Sequence, residues 1–140
     1  MKLLRSNWLL GVFLIPLSTD ILFTVIGQPK AYWDTSYKVI SEAAPVGFLF
    51  QTNPLLFIAA GFLVWLPIAY LLTKKLRNPL DLWAALALFA GHTYNSISWL
   101  RKIQIEQRFL SGSLIPMSIY IFIVSYVAMR FLRIYFKENK

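Results

Sequence analysis

The chain has no cysteine, a single histidine, and few charges: only 14% of its 140 residues are Asp, Glu, Lys or Arg. The first absence excludes disulfides, thiolate metal ligands and a cysteine nucleophile. The second excludes a His-Glu-x-x-His zinc site, and a metal centre needs three or four ligands in any case. No metal and no cofactor are therefore expected. The scarcity of charge matters more. A soluble domain averages about 25% charged and about 45–50% apolar residues, whereas 58% of this chain is hydrophobic. Its polar groups are too few to cover a water-facing surface, so the excess apolar area has to face lipid.

The charges that are present are unbalanced, 14 Lys and Arg against 6 Asp and Glu, for a net +8. Such a balance suits nucleic acid in a soluble protein. In a membrane protein it suits the cytoplasmic ends of spans, and no nucleic-acid partner is expected. Four apolar stretches run from about Trp8 to Ile26, Pro54 to Leu72, Leu80 to Leu100 and Leu114 to Leu132. Each approaches the ~20 residues that cross ~30 Å of hydrocarbon at ~1.5 Å per residue. Helices are required, because lipid cannot satisfy open backbone groups. The expectation is all-α: one polytopic domain over residues 1–140, a bundle of four transmembrane helices.

The first stretch has the basic start and apolar run of a secretory signal. No small-x-small cleavage site follows Leu17, however, and apolar residues resume from Ile21 to Ile26, so an uncleaved span is expected. Gly27 and Pro29 form a conventional helix stop. With the N-terminus inside, the cytoplasmic segments hold Lys2, Arg5, Lys74, Lys75, Arg77, Arg130, Arg133, Lys137 and Lys140. The outer segments hold Lys30, Lys38, Arg101, Lys102 and Arg108. That asymmetry places both termini in the cytoplasm. Trp8 and Trp83 fall near the inner boundary and Trp33 and Trp99 near the outer one, as in an aromatic belt. Trp65 lies inside its span and is outside this pattern. The aromatic first connection, with Tyr32, Trp33 and Tyr37, reads as an interfacial segment, or else as a lid.

Ionisable groups within a span are costly, about 2.5–3.5 kcal/mol for a central Asp. Asp20 lies inside the first stretch, and His92 inside the third, followed by Thr93, Tyr94, Asn95, Ser96 and Ser98. Both spans run outward. Asp20 comes 12 residues after Trp8 and His92 comes 12 after Leu80, a rise of about 18 Å in each case. The two side chains should share one depth, slightly beyond the midplane. Thr24 falls on the face of Asp20, and Glu42 lies on the outer approach. Asp20, Thr24, Glu42, His92 and Asn95 are therefore the expected ligand-binding set, around a polar pocket that opens outward. A stripe of Ala84, Ala87, Gly91, Asn95 and Ser98 suits close helix approach, which would aim His92 into the bundle.

An Asp–His pair suits proton transfer or acid–base chemistry. Serine hydrolysis is disfavoured, since no Gly-x-Ser-x-Gly elbow accompanies Ser96 or Ser98. The plainer alternative is that Asp20 only locks the bundle through hydrogen bonds to His92, Tyr94 or Asn95. Three functions remain open: a non-enzymatic binding protein, an enzyme acting on a lipid-like substrate through the Asp–His pair, and a proton-linked carrier subunit. The expected partners are membrane lipid, a small apolar or amphipathic ligand, and a second copy of the chain.

Thr19-Asp20-Ile21-Leu22-Phe23-Thr24, Gly27-Gln28-Pro29, Tyr32-Trp33, Glu42-Ala43-Ala44-Pro45, Gly91-His92-Thr93-Tyr94 and Ser98-Trp99-Leu100 resemble small four-span bacterial membrane proteins of unknown function. The resemblance implies that Asp20, Glu42 and His92 belong to one pattern, and that the protein sits in a bacterial cytoplasmic membrane. The chain is also similar, in its cytoplasmic termini and its acidic first span, to the sterol-isomerase-like and sigma-2-receptor-like four-span domain. That similarity implies an apolar ligand pocket beside Asp20, although the second span here carries no acidic residue.

A reporter fused after Lys140 is expected to work only in the cytoplasm. Activity confined to the outside of the cell would reverse the orientation.

Overall fold

The computed structural model describes residues 2–41, 47–76, 79–106 and 113–138. The elements are α1 (Lys2–Ile26), the short α2 (Lys30–Asp34), a 3-10 turn (Gly47–Leu49), α3 (Pro54–Lys75), α4 (Leu80–Glu106) and α5 (Ile115–Glu138). The four long helices cover the four expected stretches and extend past them mainly on their charged sides. α3 starts where the local chemistry says it should. Asn53 accepts a hydrogen bond from the Leu55 amide at 2.8 Å, and Pro54 occupies the first turn, a position that needs no amide donor.

The long helices alternate in direction. α1 and α5 run antiparallel, since Trp8 meets Phe131 and Phe23 meets Tyr120. α1 and α4 run parallel, since Leu9 and Ala85 share one apolar cluster while Gly27 packs against Trp99. α3 returns against both, with Gly61 on Ile21 and Trp65 on His92. The start of α1 and the end of α5 therefore lie at one end of the bundle, with Lys74 and Lys75 of α3 and Lys137 of α5. The other end carries α2 and the 3-10 turn.

α1 touches α3, α4 and α5, whereas α3 and α5 do not touch one another among the described residues. The helices thus form a rhombus with α1 and α4 across its short diagonal. Half of the apolar stretch of α1 is buried, against 11% for α3 and 17% for α5. That division follows from the side chains. Val12, Phe13, Pro16, Leu17, Asp20, Ile21 and Thr24 of α1 are all buried. Leu63, Ile68 and Leu71 of α3, with Phe122, Tyr126 and Met129 of α5, face outward. A belt of large exposed apolar side chains is what a lipid solvent permits and water penalises.

Among the described residues three helices are long and apolar enough to cross a membrane: α1 from Trp8, α3 and α5. The chain is thus an all-α protein with three candidate membrane spans. α4 is longer than any of them, but its second half is diluted by His92, Thr93, Asn95, Ser96, Ser98 and the charges beyond.

Two sequence expectations change here. The aromatic first connection is no simple interfacial segment. Tyr32 is fully buried among Tyr37, Phe50 and Trp33, and its hydroxyl donates to the Phe50 carbonyl at 3.1 Å. Burial, helped by nearby Tyr37, pushes the Tyr32 phenol above its ordinary value and keeps it a donor. Trp33 alone of this trio stays about half exposed. The small-residue stripe of α4 also points the other way. Ala87, Gly91, Asn95 and Ser98 are exposed, and the helix packs instead through Ala85, His92, Ser96 and Gln104.

The glycines test this packing. A β-carbon on Gly91 would meet nothing within 4 Å, whereas one on Gly11 would come within 2.5 Å of the Phe131 ring. Gly91→Ala is expected to hold or raise the unfolding midpoint, gaining up to about 1 kcal/mol in helix propensity. Gly11→Ala is expected to lose about 1–3 kcal/mol through overpacking. Thermal unfolding of both variants in one detergent reads the difference.

Candidate functional site

Parallel packing of α1 and α4 brings together the residues whose depths match in the sequence. Oδ2 of Asp20 lies 2.7 Å from Nδ1 of His92, and both residues are buried, at 9% and 6% exposure. An ionised carboxylate only accepts, so in that form the His92 Nδ1–H donates to it. In the neutral imidazole such a bond fixes the tautomer and leaves Nε2 as the lone pair. Asn95, one turn further along α4, aims Nδ2 at the same carboxylate oxygen from 3.5 Å, a long and weak contact. Trp65 of α3 sets its indole edge-on to the His92 ring, with centroids 4.9 Å apart and planes at 89°.

The surroundings show from which side the pair can be reached. Trp65 is 38% exposed although it touches His92. On α4, Gly91 and Asn95 flank His92 and are themselves exposed, with open space beyond Gly91. The pair lies one side chain beneath the lateral surface of the bundle, between α3 and α4. Glycine keeps that side low because it has no β-carbon.

A second polar knot lies on the opposite flank of Asp20, toward α5. The Thr19 hydroxyl is 3.1 Å from that of Ser96 and 2.8 Å from that of Tyr120. Ser96 also donates to the Pro16 carbonyl at 3.2 Å. One three-way hydroxyl contact thus ties α1, α4 and α5 together at nearly the depth of the Asp–His pair.

Of the five expected site residues, the structure brings Asp20, His92 and Asn95 together. Thr24 is buried on the same face, but its hydroxyl donates to the Asp20 backbone carbonyl at 2.7 Å, so it braces the helix beside the carboxylate. Glu42 lies outside the described residues. Sequence reasoning missed Trp65, Thr19 and Tyr120. Trp65 left a signal, as the one tryptophan out of place in an aromatic belt. Among the described residues no cluster of three His, Cys, Asp or Glu side chains is spaced to hold a metal ion.

No protein-family model matches the chain, and no curated protein or solved structure does either. The geometry supplies an imidazole, a carboxylate behind it, and an indole wall.

Tyr120→Phe removes only the hydroxyl that closes the three-helix contact. It is expected to lower stability by about 0.5–1.5 kcal/mol, read as a fall in the unfolding midpoint. An unchanged midpoint would mean that the hydroxyls do not hold α5.

Proposed function

We propose that this is a four-span membrane protein whose Asp20–His92 pair receives the polar head of an amphipathic small molecule or lipid from the side, between α3 and α4. The carrying observation is the pair itself, two ionisable side chains in contact at 2.7 Å inside the bundle, with exposed neighbours on one flank only. Intramembrane ionisable groups are expensive and mark functional positions by default. α4 supports a fourth span through its length and its alternation with the other three helices. Its polar half turns His92 and Ser96 toward α1, where their hydrogen bonds are satisfied. Both termini are cytoplasmic in this reading, and the membrane is a bacterial inner membrane.

The head group that fits is a hydrogen-bond donor. With Asp20 ionised and the imidazole neutral, His92 Nε2 and the carboxylate both accept, so a hydroxyl or a protonated amine is matched and an ether is not. The walls, Trp65 and the apolar face of α3, suit an alkyl or ring body. A second reading draws on the same bond. An imidazole oriented by a carboxylate and free at Nε2 is an acid–base catalyst if the bound molecule carries an exchangeable proton. In that case His92 moves the proton and Asp20 positions it.

The single histidine makes the test clean. Protein labelled with 15N-histidine and held in lipid nanodiscs gives one imidazole to follow. Dodecanol or dodecylamine is expected to shift the His92 resonances, dodecyl methyl ether to leave them, and Asp20→Asn to abolish the response. Identical responses to all three probes, or none, would contradict the site. Turnover of the bound alcohol or amine would favour the catalytic reading.

A further inference from the structure

At the end of the bundle that carries α2, a cleft of about 400 Å³ opens between α4 and α5. Ile97, Leu114 and Met117 form apolar walls, and Arg101, Gln104 and Ser113 supply the polar groups. Gln104 is buried and donates to the Ser113 carbonyl at 3.2 Å, which ties the end of α4 to the approach to α5 and fixes the cleft floor. Ile121, one turn deeper on α5, is 43% exposed and prolongs the apolar path toward the middle of the bundle.

The charge in this cleft is unbalanced. Arg101 is exposed and makes no ion pair among the described residues. Glu106, the nearby acid on α4, is engaged by Lys102 at 3.8 Å. Lys102 is itself held away by the Ser41 hydroxyl at 2.7 Å and the face of Trp99 at 4.4 Å. Among the described residues none of the groups lining the cleft is a carboxylate. A guanidinium at the mouth of an apolar groove, at the level where the apolar part of α4 ends, is complementary to an anion attached to a hydrocarbon chain. Arg101 and Lys102 also run against the preference for basic residues on the cytoplasmic side, and an anionic partner accounts for Arg101.

We infer that this cleft is a binding site for an anionic phospholipid, with the phosphate on Arg101 and an acyl chain along Ile97, Met117 and Ile121. The guanidinium supplies paired donors to two phosphate oxygens. The apolar walls select a lipid over a free anion. The site is separate from the Asp20–His92 pair, which lies between α1 and α4 against Trp65 of α3. It rests on the four-span reading, and the two fail separately. In this cysteine-free chain, Arg101→Cys labelled by a water-soluble maleimide together with Trp83→Cys, from one side of intact vesicles, would sink that reading without any lipid measurement.

The test is native mass spectrometry of the full chain in detergent, with equal amounts of dioleoylphosphatidylglycerol and dioleoylphosphatidylcholine. Wild type is expected to retain the glycerol lipid about tenfold better, and Arg101→Gln to erase that preference, a change of about 1.4 kcal/mol. Met117→Trp, which fills the groove, is expected to reduce retention of both lipids. Arg133→Gln, at the opposite end, is expected to behave as wild type. An undiminished preference in Arg101→Gln, its loss in Arg133→Gln, or full displacement by inorganic phosphate would each overturn the proposal. The last outcome would leave a site for free anions.

Discussion

One hydrogen bond between ionisable groups, Asp20 to His92 at 2.7 Å, organises the interior of this bundle. Either side chain alone would be an uncompensated polar group in an apolar setting, at a cost of several kcal/mol. Together they satisfy each other, and they do so only if α1 and α4 bring them to one depth and turn them toward one another. The bond therefore constrains the register and rotation of the two helices at once. Such specificity is valuable in lipid, where apolar side chains gain little by leaving the solvent and packing must be decided by shape and by polar contacts.

The remaining helices are arranged around that pair. α5 joins through hydroxyls, with Tyr120 reaching Thr19 and Ser96, and through rings on either side of them, Phe131 over Gly11 and Phe23 against Tyr120. α3 joins through shape, with Gly61 admitting Ile21 and Trp65 closing over His92. The aromatic plug of Tyr32, Phe50 and Phe57 then anchors the connection above. The same layout that buries the Asp–His pair leaves it thinly covered, because α3 meets α4 through an exposed indole and α4 presents a glycine there. A locked contact and an approachable one are compatible in this geometry.

Much of this was legible in the sequence, for identifiable reasons. Four apolar stretches of about twenty residues marked out the four long helices. Two parallel helices of equal rise put Asp20 and His92 at one depth, so their meeting followed from arithmetic and Asn95 came with His92. Rotation was less legible. Small residues at Ala87, Gly91 and Ser98 are as suitable for an open flank as for a close interface, and spacing alone does not distinguish the two. Membrane helices also lack the sharp polar–apolar contrast that shows which side faces inward. Thr24 was placed on the correct face, but its hydroxyl is claimed by a backbone carbonyl one turn back, a habit of Thr in helices that composition does not reveal. Tyr120 gave no signal, since it is one of several aromatic residues in an apolar stretch, and only the tertiary contact distinguishes it.

The most direct measurement is a double-mutant cycle in folding stability, with Asp20→Ala, His92→Ala and the double variant compared in one lipid or detergent. If the pair organises the bundle, the two losses will be non-additive, with a coupling of about 1–3 kcal/mol, as for hydrogen bonds to charged groups. Losses that simply add, within about 0.5 kcal/mol, would show that Asp20 and His92 act independently and would contradict the account.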